Sequence, residues 1–376
     1  MNHLTACFIV KDDADNLARA IRSVQTVADT LLVTDTGSSD NSVETAQALG
    51  ASVDHFPWID DFTAAYTHVV QRATTDWILL LDSDEFLLAN QDDAIRHALS
   101  NPDAMGYMLR RQDFTDLSQP DRFTEMWQLR LFRNHPDLRY TGRIHHHLDP
   151  PLETLGEPDN RRVLESDITF RHTGYANRDW PAKIRRDAHL MQLELAERPG
   201  QFYYLVELGL SLLKLGNPIG YTHLTQAARQ ALDPKRLPDL PRGPFLMLLE
   251  FALSPAPRPD GFPLTQQHAE HLAERHFDNA PPILWQRARL AFDRNDHNAA
   301  ARLLEHLLDL ANTHTYDRVT GFDPRILADD ATLNLAVCHA HLGDIPRARQ
   351  LLTTLLSSPT HQDRAQVNLD ALNQAD

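Results

Sequence analysis

Apolar residues in the first half of the chain fall into short unbroken runs separated by stretches with helical spacing. Runs at 4–10, 31–34 and 77–81, with a short third strand at 52–55, read as strands. Between them, 14–25 repeats Leu17, Ile21 and Val24 on one face, with Arg19 and Arg22 on the other. Helical patterns follow at 41–49, closed by Gly50, and at 62–72. Strands alternating with helices of about ten residues predict βαβ units and a parallel sheet. The run 77–81, WILLL, lacks helical spacing and predicts a strand buried on both faces. Further strands are expected at 106–111 and 127–132.

After Trp180 strand-like runs disappear and helical spacing takes over. Helices are expected at 183–196, 202–215, 219–231, 264–275, 282–294, 297–311, 328–342 and 346–356. Pro-rich intervals at 234–244 and 255–263 break the series. Three stretches share one design: an apolar helix, a two-residue polar turn, then a helix with a small residue at Ala227, Ala300 or Ala348. Small residues there let paired helices approach. The expected division is therefore 1–177 for an α/β domain and 178–376 for an all-α domain.

Composition narrows the function classes. Lys plus Arg is 36 and Asp plus Glu is 52, so the net charge is −16. That argues against nucleic acid or an anionic membrane as the main partner. Cys7 and Cys338 lie in different halves and inside apolar patterns, so no disulfide framework is expected. The start MNHLTACFIVKDD has no basic stretch leading a long apolar one, and no run approaches the roughly 20 residues that span a bilayer. A soluble, cytoplasmic protein is expected.

The chemistry sits where strands end. The first ends in Lys11, Asp12 and Asp13, the second in Asp35, Thr36 and Gly37, and the fourth in Asp82, Ser83, Asp84 and Glu85. Parallel strands place these ends on one edge, where ligands bind in open α/β sheets. Two aspartates separated by one residue suit a hard divalent cation, Mg²⁺ or Mn²⁺, which in turn suits a diphosphate. Gly37 permits a tight turn beside a ligand. Asp40 is placed to cap the helix that follows.

The segments VKDDADNLARAIRSV, LLVTDTGSSDNSVETAQALGA, HFPWIDDFTAA and ATTDWILLLDSDEF, in that order, resemble the family 2 nucleotide-sugar glycosyltransferases. The resemblance runs from about Leu4 to Tyr175 and is closest to the branch with helical repeats behind the catalytic domain. The three stretches of shared design resemble tetratricopeptide-type αα-hairpins. The resemblance implies a GT-A (Rossmann-like) α/β fold followed by the all-α domain. It also implies inverting sugar transfer from a nucleoside-diphosphate sugar, UDP-linked by preference. By the same resemblance Asp35 contacts the base, and Lys11, Asp13, Thr36, Gly37, Asp61, Asp82 and Arg143 bind the donor. Asp82, Asp84, His145 and His172 hold the metal.

Three departures stand out. The family's Asn-Glu-Glu after the first strand is Asp12, Asp13, Ala14 here, and Arg-Asn on the third helix is Tyr66, Thr67. The Glu of its Gly-Arg-Ile-His-Glu segment is His146. A neutral imidazole can do the work of that acid as general base, with Asp113 and Glu125 as rivals. The helical half suits a protein or peptide acceptor; a saccharide is the other expected acceptor, and a homodimer is among the expected assemblies. The competing expectation is a degenerate transferase that binds partners through its helices.

Overall fold

The computed structural model describes residues 2–174 and 180–375. They belong to two compact units, Met1–Pro199 and Gly200–Asp376. The boundary expected between 177 and 178 lies outside the described residues, and the helix that follows it belongs to the first unit.

In the first unit, β1 (Leu4–Val10), α1 (Ala14–Val24), β2 (Thr30–Asp35), α2 (Ser42–Ala48) and β3 (Ser52–His55) alternate as expected. Then come α3 (Phe62–Gln71), β4 (Trp77–Asp82), β5 (Glu85–Leu87), α4 (Asp92–Ser100), β6 (Ala104–Asp113) and β7 (Thr124–Arg133). The unit closes with β8 (Tyr140–Thr141), β9 (His147–Leu148), α5 (Leu152–Gly156), β10 (Arg162–His172) and α6 (Trp180–Glu197).

The main sheet runs β3-β2-β1-β4-β7-β6-β10-β5. The four strands from β3 to β4 are parallel, as their crossover helices require. β7 is antiparallel to both β4 and β6, so β6 and its parallel neighbour β10 point the same way as β4. The C-terminal ends of β1, β2, β4, β6 and β10 therefore share one edge. This is a Rossmann-like α/β layer with a mixed sheet.

Alternation explains the core. Phe8, Leu79 and Leu81 pack on one face with Leu17 and Ile21 of α1. Cys7, Ile78 and Leu80 pack on the other with Tyr66, Val69 and Val70 of α3. Both faces of β4 are covered, as a continuous apolar run requires. Each Leu or Ile buried there stabilises by about 1.5–3 kcal/mol.

The second unit holds α7 (Phe202–Lys214), α8 (Gly220–Ala231), α9 (Arg242–Leu253), α10 (Gln266–His276) and α11 (Pro281–Asp293). It continues with α12 (His297–Thr313), α13 (Asp329–His341), α14 (Ile345–Thr354) and α15 (Gln362–Ala375). α7 pairs with α8, α11 with α12 and α13 with α14. Ala227, Ala300 and Ala348 are fully buried, as the hairpin pattern predicts. Helix α9 starts at the end of the first Pro-rich interval and fills the stretch before the second, to which no element had been assigned. Pro241 precedes it and Pro244 sits in its first turn, where no intrahelical N–H bond is lost.

Candidate active site

An open cleft of about 280 Å³ lies along the shared strand edge. Short side chains tie its floor together. The Ser83 hydroxyl donates to Asp13 at 2.8 Å, the Ser39 amide to Asp12 at 2.6 Å, and the Ala14 and Ser42 amides to Asp40 at 3.2 and 2.9 Å. Asp40 thus precedes the N-cap Asn41 rather than capping α2 itself, accepts the first amide of α2, and braces α1 as well.

Eight of the expected site residues line this cleft. Lys11, Asp13 and Thr36 come from the first two strand ends, Asp82 and Asp84 from the fourth. His145, His146 and His172 complete the set. The other six do not line it. Asp35 is buried and accepts from the amides of Gly37 and Ser38 at 3.2 and 3.0 Å, with His55 Nδ1 at 3.1 Å. Gly37 itself takes φ +104°, which glycine permits. Asp61 caps α3, accepting from the Ala64 amide at 3.0 Å. Arg143 is engaged by Glu197 and by the Asp60 carbonyl. Glu125 accepts from Arg110 at 2.6 Å, and Asp113 lies behind His172.

The Asp-x-Asp pair divides its work. Asp82 takes the Tyr66 hydroxyl on one oxygen and Arg130, 3.2 Å away, on the other. Arg130 also donates to Glu85 at 2.7 Å, and Glu85 accepts the Asp82 amide at 3.0 Å. Burial by itself would push the Asp82 carboxyl up, but Arg130 and the Tyr66 hydroxyl overcome it and hold it below the usual range. For Glu85 burial prevails over Arg130, and its carboxyl is held above the ordinary value.

Asp84 faces the other way. Its Oδ1 lies 3.5 Å from His172 Nε2, and the opposite ring nitrogen of His172 lies 2.7 Å from Asp113. Although burial opposes it, hydrogen bonding to Asp113 and Asp84 raises the His172 pKa. Among the described residues no three His, Cys, Asp or Glu side chains are placed together as a ready metal site. The expected four ligands are thus not one cluster: Asp84 and His172 face each other, Asp82 is committed to Arg130 and Tyr66, and His145 is exposed with φ +51°. A carboxylate oxygen opposite an imidazole nitrogen remains a donor pair that suits Mn²⁺.

His146 rests against Tyr66 at 4.1 Å and edge-on to Tyr140 at 4.9 Å between ring centroids. Burial, and then the nearby Arg130 charge, lower its pKa to about 3, so the imidazole is neutral at working pH.

The structure adds residues that sequence patterns did not bring out. Arg111 and Arg130 line the cleft from β6 and β7 and bring positive charge to the edge where Tyr66 stands in place of the Arg of the resembling family's Arg-Asn. Lys183, Arg186 and Asp187 line it from α6. Burial lowers the Lys183 pKa against the pull of Asp84 and Asp187. Nothing in their helical spacing marks them, because only the fold brings α6 to the strand edge.

Residues 5–151 match the family described as Glycosyl transferase family 2. The chain is 34% identical over 221 residues to a TPR repeat-containing protein of Synechococcus elongatus, covering 58% of this chain and 54% of that protein. It is 32% identical over 108 residues to an uncharacterized glycosyltransferase of Rickettsia felis, covering 29% of this chain and 38% of the other. The chain thus spans about half or less of the relatives it matches. Among solved structures, a mannosyltransferase from Pyrobaculum calidifontis in complex with GDP-Man and Mn²⁺ gives a TM-score of 0.38 at 13% identity, covering 76% of this chain and 83% of that one.

Proposed function

We propose, from the match of residues 5–151 to Glycosyl transferase family 2, that this domain has a GT-A, Rossmann-like fold and that the protein transfers a sugar from a nucleoside-diphosphate sugar to an acceptor, with inversion and with a divalent cation. The observation that carries the reading is the meeting of Asp82 and Asp84 with Lys11 and Thr36 in one cleft at the strand ends. UDP-linked sugars are the proposed donors. A protein or peptide acceptor is proposed from the helical second unit, with a saccharide as the other class.

Asp84 and His172 would hold Mn²⁺ or Mg²⁺. When bound, the cation would act as a Lewis acid that offsets charge on the diphosphate leaving group. Arg130 supports the same task from the cleft floor, held in place by Asp82 and Glu85. His146 is the proposed base, since neither Asp113 nor Glu125 lines the cleft. Its neutral ring can accept the acceptor's proton. A donor diphosphate beside it would add negative charge and raise its basicity.

The test is calorimetric titration of the full chain with UDP, with and without Mn²⁺, beside Asp84→Ala. Metal-dependent binding lost in the variant is expected. Absence of metal-dependent binding for every nucleoside diphosphate tried would overturn the reading. A second reading, a binding protein without turnover, draws on the commitment of both Asp82 oxygens to Tyr66 and Arg130. Release of sugar from a panel of nucleotide sugars, followed by mass spectrometry, decides against it.

A further inference from the structure

Three arginines line the cleft, and two of them are committed to the protein. Arg111 is buried and donates to Asp113 and Gln128, while Arg130 is buried between Asp82 and Glu85. Arg186, on α6, differs from both. Its side chain is 49% exposed. Asp187 Oδ1 accepts from its Nε at 3.0 Å and from its Nη2 at 2.7 Å. A guanidinium carries five N–H donors in a rigid fork. Asp187 takes the edge formed by Nε and Nη2. The other end of the fork, Nη1 with the second N–H of Nη2, meets no acceptor among the described residues.

That open end is held in place. The guanidinium carbon lies 5.2 Å from the centroid of the Phe62 ring, a cation–π distance. Phe62 opens α3, lines the cleft, and lies one turn before Tyr66 on the same helix face. Tyr66 gives its hydroxyl to Asp82 and brings no charge. Helix α6 is in turn fastened to Thr141 and Arg143. The fully buried Glu194 accepts the Arg143 amide at 3.1 Å, Arg143 pairs with Glu197, and Arg198 donates to Thr141 at 3.2 Å. Arg186 is therefore a charge ordered before binding, so little conformational freedom is lost when it meets a ligand.

Two N–H groups at the end of a planar fork match two oxygens of a phosphate. Lys183 lines the cleft one turn earlier on α6, so this wall carries two cations. We propose that Arg186 is a donor-binding residue whose open end grips the diphosphate of the nucleoside-diphosphate sugar. The inference rests on the sugar-transfer reading above and adds a residue to that site. It assigns to α6 a positive charge that Tyr66 does not supply from α3. Because the diphosphate gains negative charge as the sugar departs, the contact strengthens toward the transition state.

The experiment titrates UDP and UMP into the full chain at saturating Mn²⁺ by calorimetry. Wild type, Arg186→Gln, Arg186→Met and Arg186→Lys are compared, with circular dichroism to confirm folding. The quantity read is the preference for UDP over UMP, which a general loosening of the fold would leave unchanged. A lost hydrogen bond to a charged group at a half-exposed site corresponds to about a tenfold fall in that preference for Arg186→Gln. Arg186→Lys keeps the charge without the fork and should recover part of it. A wild-type preference in the folded Gln variant overturns the inference alone, as does an equal loss of UDP and UMP affinity. Should that variant not fold, Arg186→Met, whose stem keeps its contact with Phe62, decides by the same measure. A wild type that binds UDP no more tightly than UMP also overturns it. A wild type that binds no nucleoside diphosphate overturns the sugar-transfer reading, and this inference with it.

Discussion

Replacing Arg130 by Met tests the charge balance beneath the cleft. Arg130 is 2% exposed and lies between Asp82 and Glu85, at 3.2 and 2.7 Å. Methionine keeps much of the volume and removes the charge, leaving the buried Glu85 carboxylate facing that of the partly exposed Asp82. Breaking a buried pair from one side costs about 3–5 kcal/mol. For a unit of the size of Met1–Pro199 that corresponds to a fall in melting temperature of about 6–20 °C. Four of the five tryptophans, Trp58, Trp77, Trp127 and Trp180, lie in that unit, so intrinsic fluorescence follows its unfolding. The loss should depend on pH. In the wild type the Asp82 pKa is held down, so its contribution is present above the unfolded value and fades as pH falls through the folded one. Without Arg130 the two carboxyls hold their protons to higher pH. The gap between wild type and variant is therefore widest near pH 8 and closes toward pH 4. Adding Glu85→Gln to Arg130→Met should recover part of the loss. An unchanged melting temperature, or a gap constant from pH 8 to pH 4, would refute the argument.

Three other outcomes are expected. His146→Ala should lower kcat by about 10²–10⁴-fold, while Asp187→Asn, whose carboxylate is paired with Arg186 at 2.7 Å, should change it only a few-fold; initial-rate assays of sugar transfer compare them, and equal losses would shift the base to α6. A chain ending at residue 177 lacks Lys183, Arg186 and Asp187 and should bind nucleotide more weakly than one ending at Pro199, as calorimetry on both would show; equal affinity would remove α6 from the donor site. Ala300→Leu places extra volume at a fully buried position of α12 and should destabilise the second unit by about 1–3 kcal/mol, measured by urea unfolding; no change would argue against close helix pairing there.

The parts of the fold that were legible in the sequence are those where one rule dominates. β1, β2 and β4 announce themselves because strands buried on both faces need continuous apolar runs. β10 does not, since Glu165, Ser166 and Asp167 interrupt its pattern where its pairing with β6 shifts register. In the site, residues at strand ends were readable because topology fixes where those ends go. Asp35 and Asp61 read in one dimension as donor-binding acids; in the fold Asp35 accepts from the Gly37 and Ser38 amides and Asp61 Oδ1 from the Ala64 amide, and neither lines the cleft. Arg130 and Lys183 were hard to single out because their importance depends on which carboxylates the fold sets beside them. Chain separation, 48 residues between Asp82 and Arg130, hides that pairing.

The cleft takes side chains from Lys11 near one end of the unit and Asp187 near the other. Any ligand that fills it joins segments which separate when the unit unfolds. Occupancy at a hundred times the dissociation constant would then stabilise the folded unit by about 2.7 kcal/mol. The unfolding temperature thereby becomes a detector, able to rank donor sugars before any acceptor has been identified.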